Sequence, residues 1–233
     1  MKVAVMIPTY NEKDNILRVI KGVLNSRRKI NLHIVVVDDN SPDGTGEIAK
    51  KLAKSNSRVR VLIRRGKRGR GLAGIDGFKY CLKTGADYIV EMDADLSHDP
   101  KYVPLLVEAA KDADIVLGSR YIKGGKDLRP WKRKLLSILA HVYIRFLTGM
   151  KISDCTTGYR CWRRRALEAV VDELTAEGPF IVTDSLYKAY RKGFSVKEIP
   201  IEFEDRKIGL TKLNFGIVFD NIIKILKIRM SAR

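Results

Sequence analysis

The stretch His33-Ile34-Val35-Val36-Val37-Asp38-Asp39-Asn40-Ser41-Pro42-Asp43-Gly44-Thr45 passes from an unbroken apolar run into a turn dense in acids, then into a helical pattern. A short, continuously apolar run of this kind reads as a strand buried on both faces, as in parallel sheets covered by helices. The pattern recurs on either side. Upstream, Val3–Ile7 is a strand and 11–25 a helix with Ile16, Val19, Ile20 and Val23 on one face. Downstream come a helix over 45–54, a strand over 59–63, a helix over 72–83 and a strand over 88–90. A helix opening at Pro100, with Asp99 placed to cap it, precedes a strand over 114–118. The expected fold is open α/β, a mainly parallel sheet flanked by helices, with ligands at the carboxyl ends of the strands.

After Arg120 the alternation breaks. A Gly- and Lys-containing loop reaches Pro130, a helix spans 131–147, and a polar turn covers 153–158. Helices follow near 166–173 and 183–192. Residues 195–203 read as a strand pair or one strand bent at Pro200, and an apolar-rich helix runs from about 214 to 230. No linker or repeat divides residues 1–233, so one domain is expected.

The 233 residues carry 45 Lys and Arg against 27 Asp and Glu, a net charge of +18. Such a chain seeks anions: nucleic acid, nucleotide phosphates or an acidic membrane surface. Cys81, Cys155 and Cys161 form no C-x-x-C pair, which argues against a disulfide framework or thiolate zinc site and suits a reducing cytoplasm. The apolar run before Pro8 is too short for a signal peptide, and no stretch approaches the roughly 18 apolar residues of a membrane span. Secreted and integral-membrane classes are thereby disfavoured, and a membrane-surface class is not.

Glu91-Met92-Asp93-Ala94-Asp95-Leu96-Ser97 directly follows a buried strand. In extended chain, residues two apart face the same side, roughly 6.5–7 Å apart at Cα. Two carboxylates so placed repel unless a cation lies between them, and hard oxygen ligands suit Mg2+ or Mn2+ together with substrate phosphates. Taken singly, D-x-D is equally a solvated loop with capping acids. However, acids also follow two other strands, at Asp38-Asp39 and at Pro8-Thr9-Tyr10-Asn11-Glu12, and three strand ends on one edge converge.

Together with Gly118-Ser119-Arg120-Tyr121, Arg133-Lys134, Asp154-Cys155-Thr156-Thr157-Gly158-Tyr159-Arg160, Arg206 and Gly209-Leu210-Thr211-Lys212-Leu213, these motifs resemble family 2 glycosyltransferases of the GT-A fold, specifically the dolichyl-phosphate mannose synthases. The resemblance runs from residue 3 to about 213. It implies transfer of mannose from GDP-mannose to a dolichyl or other polyprenyl phosphate, with inversion at the sugar carbon. About 1–120 would be the nucleotide-sugar and metal half, and about 121–233 the acceptor and membrane-facing half. Pro8, Tyr10, Glu12, Asp38, Asp39, Asp93 and Ala94 would line the donor site, and Asp93, Asp95 and Ser97 would hold Mg2+ or Mn2+. Some relatives carry Gln at the third metal position; Ser97 is shorter, so a bridging water is expected there.

An anionic acceptor must approach an anionic diphosphate, which calls for fixed positive charge. Arg120, Arg133, Arg206 and Lys212 lie in the motifs that carry the resemblance, so Arg120 and Arg133 are expected on the lipid phosphate and Arg206 and Lys212 closing over the donor. A phosphate nucleophile, with a second pKa near 6, requires no general base. Asp154 is accordingly expected to orient an arginine or the acceptor phosphate. The run Arg64-Arg65-Gly66-Lys67-Arg68-Gly69-Arg70-Gly71 is either a mobile loop gripping the diphosphate or a solvated turn, and it lacks the interleaved aromatics of an RNA site. His33, His98 and His141 read as structural.

Trp131-Lys132-Arg133-Lys134, Arg163-Arg164-Arg165 after Trp162, and the broad apolar faces of the 131–147 and 214–230 helices suggest an anionic membrane surface as a partner. The resemblance implies a peripheral protein on the cytoplasmic face, with a small membrane subunit as a further partner; some relatives continue into membrane helices beyond this length. Two other readings remain: UDP-glucose as donor to the same lipid, or, in another class, a basic nucleic-acid-binding protein.

Overall fold

Seven of the eight residues of β1 (Lys2–Thr9) are buried in the computed structural model, which describes residues 1–26, 30–175, 177–205 and 224–226. Its side chains alternate between two cores: Val3, Val5 and Ile7 join one, Ala4 and Met6 the other. A strand with two apolar faces needs a helical layer on each. After α1 (Lys13–Ser26) come β2 (Asn31–Asp38), α2 (Thr45–Ser55), β3 (Val59–Ile63), α3 (Arg70–Lys83) and β4 (Tyr88–Glu91). A short 3-10 turn at Pro100–Tyr102, where the Asp99 carboxylate accepts from the Lys101 N–H, leads into α4 (Val103–Ala109) and then β5 (Ile115–Ser119). The expected alternation is therefore the observed one.

The second half adds β6 (Lys126–Asp127), α5 (Trp131–Thr148), β7 (Arg160–Arg163), α6 (Arg164–Glu168), α7 (Ile181–Arg191), β8 (Val196–Pro200) and β9 (Glu202–Phe203). The large sheet runs β3-β2-β1-β4-β7-β5-β8, and β6 pairs with β9 apart from it. Every pairing in the large sheet is parallel except those of β7, which lies antiparallel between β4 and β5. The sequence reading missed β7 entirely. Its four residues, Arg-Cys-Trp-Arg, carry no β-branched run, and the sheet environment alone makes them a strand.

That insertion also corrects the membrane reading of Trp162 and Arg163 to Arg165. Trp162 is fully buried, its ring set edge-on to Phe78 at 6.2 Å. Arg163 donates to the carbonyls of Ala110, at 2.7 Å, and Lys111, while Arg164 reaches Leu82 O at 2.9 Å and Arg165 pairs with Asp114 at 2.6 Å. Arg163 and Arg164 tie β7 to the ends of α4 and α3, and Arg165 to the residue before β5, all at the amino edge of the parallel strands. Residues 224–226 are helical with Ile225 in the core; most of the expected 214–230 helix lies outside the described residues.

Candidate active site

The carboxyl ends of β1, β2 and β4 lie side by side, with Thr9 opposite Asp38 and Met6 opposite Glu91. Each end turns through a non-glycine residue of positive φ: Asn11 at 58°, Asn40 at 54° and Leu96 at 65°. Such residues are uncommon, and their gathering on one edge marks a functional site. Asp38 is buried and accepts from the Ser41 N–H (2.9 Å), the Ser41 hydroxyl (2.6 Å) and the Thr9 hydroxyl (3.1 Å). Pro8 is buried within β1, and Glu12 accepts from the Asn15 amide at 2.8 Å as α1 begins.

Over this edge lies the basic run. Arg64 joins Asp39 and, at 2.6 Å, Asp76; the Gly69 N–H donates to Asp39 at 2.7 Å. Arg68 donates to the Tyr10 hydroxyl at 2.8 Å and its guanidinium stacks 5.2 Å from that ring's centre. Arg70 opens α3, two residues before the expected start, and reaches Glu91 (2.8 Å) and Asp93 (3.2 Å). Arg64, Arg68, Gly69 and Arg70 of this run are held on Asp39, Tyr10 and Asp93, residues expected to meet the donor, while Arg65 is exposed.

Asp95 is nearly buried, and its Oδ1 accepts both the N–H (3.1 Å) and hydroxyl (2.6 Å) of Ser97. Ala94 is buried between the two acids, and Ser97 is turned onto Asp95. Among the described residues no three His, Cys, Asp or Glu side chains are grouped to hold a metal. The fit is with a cation taking a carboxylate or two from protein and the rest of its shell from phosphate oxygens and water, as Mg2+ commonly does. The Arg70 guanidinium places one positive charge 3.2 Å from Asp93.

His98, read as structural, belongs to this centre. Its Nδ1 accepts the Asp93 N–H at 3.0 Å, so a neutral ring carries its hydrogen on Nε2. Burial, opposed by the Asp93 and Asp95 carboxylates, holds its pKa below the ordinary value. The ring stacks on Tyr159 at 4.7 Å and meets Phe203 at 5.5 Å. Phe203 in turn lies 5.0 Å from the Arg120 guanidinium and 5.2 Å from that of Arg129, linking the D-x-D turn to the arginines. Nothing in the local pattern of Phe203 or Arg129 singled them out.

Arg120, at the end of β5, pairs through Nε (2.7 Å) and Nη2 (2.8 Å) with Asp154. Burial alone would raise the Asp154 pKa, but hydrogen bonds from Arg120 and His141 outweigh it and hold the acid well below its usual range. His141 approaches Asp154 at 3.0 Å and Thr156 at 3.1 Å, so this histidine too sits beside the site. Arg133, in the first turn of α5, pairs with Asp205 at 2.6 Å rather than joining Arg120 on one partner. Arg206 and Lys212 lie outside the described residues.

Beyond Arg133, α5 exposes Trp131, Leu135, Leu139, Val142 and Phe146, the last 85% accessible. Among the described residues no helix is long and apolar enough to cross a membrane.

The model of the glycosyl transferase family 2 matches residues 4–171. The chain is 40% identical over 225 residues to a polyprenol monophosphomannose synthase of Mycolicibacterium smegmatis, covering 95% of this chain and 84% of the relative. It is 37% identical over 235 residues to an undecaprenyl-phosphate mannosyltransferase of Micrococcus luteus, covering 100% and 96%. Among solved structures, glucosyl-3-phosphoglycerate synthase from Mycobacterium tuberculosis, in complex with Mn2+, UDP and glucosyl-3-phosphoglycerate, superposes with a TM-score of 0.72 at 17% identity, over 99% of this chain and 79% of that one. The fold likeness bears out the expected GT-A architecture. On these grounds the chain belongs to glycosyl transferase family 2 and is a glycosyltransferase.

Proposed function

We propose that this enzyme transfers mannose from GDP-mannose to a polyprenyl phosphate, with inversion, on the cytoplasmic face of a membrane. The observation that carries the reading is its near full-length similarity to two polyprenyl-phosphate mannosyltransferases, in a chain with a buried arginine close to the D-x-D turn.

In this reading Tyr10, Asp38 and Asp39 border the nucleoside, while Asp93 and Asp95 hold Mg2+ or Mn2+. The bound metal would offset the diphosphate charge as GDP leaves. Arg120 is anchored by Asp154 and Thr156, so its Nη1 is presented in fixed orientation to the acceptor phosphate. Fixed positive charge lowers the cost of bringing two anions together. Arg133 serves the same phosphate from α5 once Asp205 yields it. The acceptor phosphate is itself the nucleophile, and no residue is asked to take a proton. The exposed face of α5, with Lys132, Arg133 and Lys134, rests on anionic lipid, where the isoprenoid tail of the acceptor is embedded; each base near such a surface contributes about 1 kcal/mol.

The test is a donor panel with polyprenyl phosphate, GDP-mannose against UDP-glucose, with and without EDTA. Metal-dependent transfer from GDP-mannose is expected. Transfer from UDP-glucose alone overturns the donor, and no transfer from either overturns the reaction. Tight, salt-sensitive binding to unrelated RNA that ignores Asp93→Asn would favour the nucleic-acid class.

A further inference from the structure

We propose that Arg70 is a built-in counter-ion for Asp93, so that a divalent cation binds tightly here only together with a nucleoside diphosphate. This rests on the metal and diphosphate reading of the site and adds to it an order of events and a residue that enforces it.

Arg70 Nη2 bridges Glu91 Oε1 (2.8 Å) and Asp93 Oδ1 (3.2 Å). Glu91 is buried and already faces Arg160 at 3.3 Å, so it does not depend on Arg70 alone for neutralisation. Among the described residues, the Arg70 and Arg160 guanidinium groups face the Glu91 and Asp93 carboxylates. A divalent cation arriving at Asp93 with Arg70 in place would meet like charge at contact distance and lose a share of its ligand. Nor does the protein compensate with a dense donor set, since the described residues hold no third grouped metal-ligating side chain.

A diphosphate changes both terms. It brings oxygen ligands for the cation and a preferred partner for a guanidinium fork. Arg70 is ready for one: its Nη1 is buried without a hydrogen-bond partner, and an unmet buried donor is costly. Its side chain is 24% accessible, which leaves a way toward the site mouth. The segment leading to it is held by the groups expected at the nucleoside, Asp39 through Arg64 and the Gly69 N–H, and Tyr10 through Arg68. Occupation of the nucleoside side therefore loosens the same segment that blocks the metal side.

The test is Mn2+ binding to the full chain, by loss of the free-ion EPR signal, with and without GDP and corrected for the Mn2+–GDP complex formed in solution. GDP is expected to tighten Mn2+ binding about tenfold, with Mn2+ tightening GDP binding by the same factor. In Arg70→Gln, Mn2+ should bind without GDP nearly as tightly as with it. Because Arg70 also faces buried Glu91, the double variant Arg70→Gln/Glu91→Gln, which removes the pair together, should behave alike, with folding of both checked by thermal unfolding. Wild-type Mn2+ affinity indifferent to GDP, or coupling unchanged in both folded variants, overturns the proposal. Absence of Mn2+ binding even with GDP overturns the underlying metal reading, and the proposal with it.

Discussion

Arg120 and Asp154, 34 residues apart in sequence, meet as a two-pronged ion pair whose side chains are 6% and 0% accessible. The pair is braced twice more. The Glu198 carboxylate on β8 accepts the N–H groups of Ser153 (2.8 Å) and Asp154 (3.0 Å), and His141 on α5 closes the other side. An arginine so fixed has little orientational freedom left to lose when an anion binds.

Asp154→Asn should therefore cost both fold and function. Leaving a buried guanidinium unpaired costs about 3–5 kcal/mol, readable as a lower urea midpoint, and transfer should fall with it. The folded-state pKa of Asp154 is depressed, so its stabilisation is present above the ordinary carboxylate pKa and is lost as pH falls. In the variant this acid-side loss should shrink.

Arg133→Ala should sharply reduce transfer and raise the KM for polyprenyl phosphate while GDP affinity, measured by calorimetry, stays nearly unchanged. Equal loss of both would place Arg133 with the donor instead.

His33 gives a second pH signature, far from the reaction. Burial first, then Arg60 and Lys2, lower its pKa to about 4, and its Nε2 lies 3.0 Å from the Thr84 hydroxyl. The unfolded chain takes up a proton near 6.5 and the folded one does not until about 4. Stability attributable to His33 is thus complete above 6.5 and declines toward 4, and His33→Gln should flatten that part of the stability–pH curve.

Gly77→Ala tests the packing of α3 on the sheet. A Cβ at Gly77 would fall inside contact with Met6 Sδ and 2.9 Å from Val37 Cγ2, both in the core. Overpacking of this kind costs about 1–3 kcal/mol and should appear as a lower thermal midpoint without altered GDP specificity.

Replacing Leu139 and Phe146 by Ser removes apolar surface from α5 without touching the core. Flotation with anionic vesicles should weaken, and wild-type binding should fall with added salt, while the thermal midpoint changes little. Salt-independent failure to float in the wild-type chain would contradict the membrane-surface role.

What the residues declared and what they concealed divides along a physical line. The strands over Val3–Ile7, 33–37 and 59–63 and the acid-bearing turns that follow two of them were legible because apolar runs, turn residues and caps are local signals. β7 was not, because Arg160–Arg163 becomes a strand only when β4 and β5 offer it ladder partners on both sides. Likewise +18 reads as unspecific attraction to anions until each charge has a neighbour. Arg163 and Arg164 cap carbonyls and Arg64 neutralises acids; the solvent face of α5 keeps its bases beside bare apolar surface.

Local residue pattern carries the α/β layering, the edge where chemistry gathers and, through the motifs, the family. Tertiary structure alone decided that Arg70 meets Asp93, that Asp154 meets Arg120 and His141, and that Phe203 bridges Arg120 to His98. Those pairings cross strands and helices far apart in the chain, and charge and ring contacts act over only a few ångströms. They come into being when burial brings the groups together.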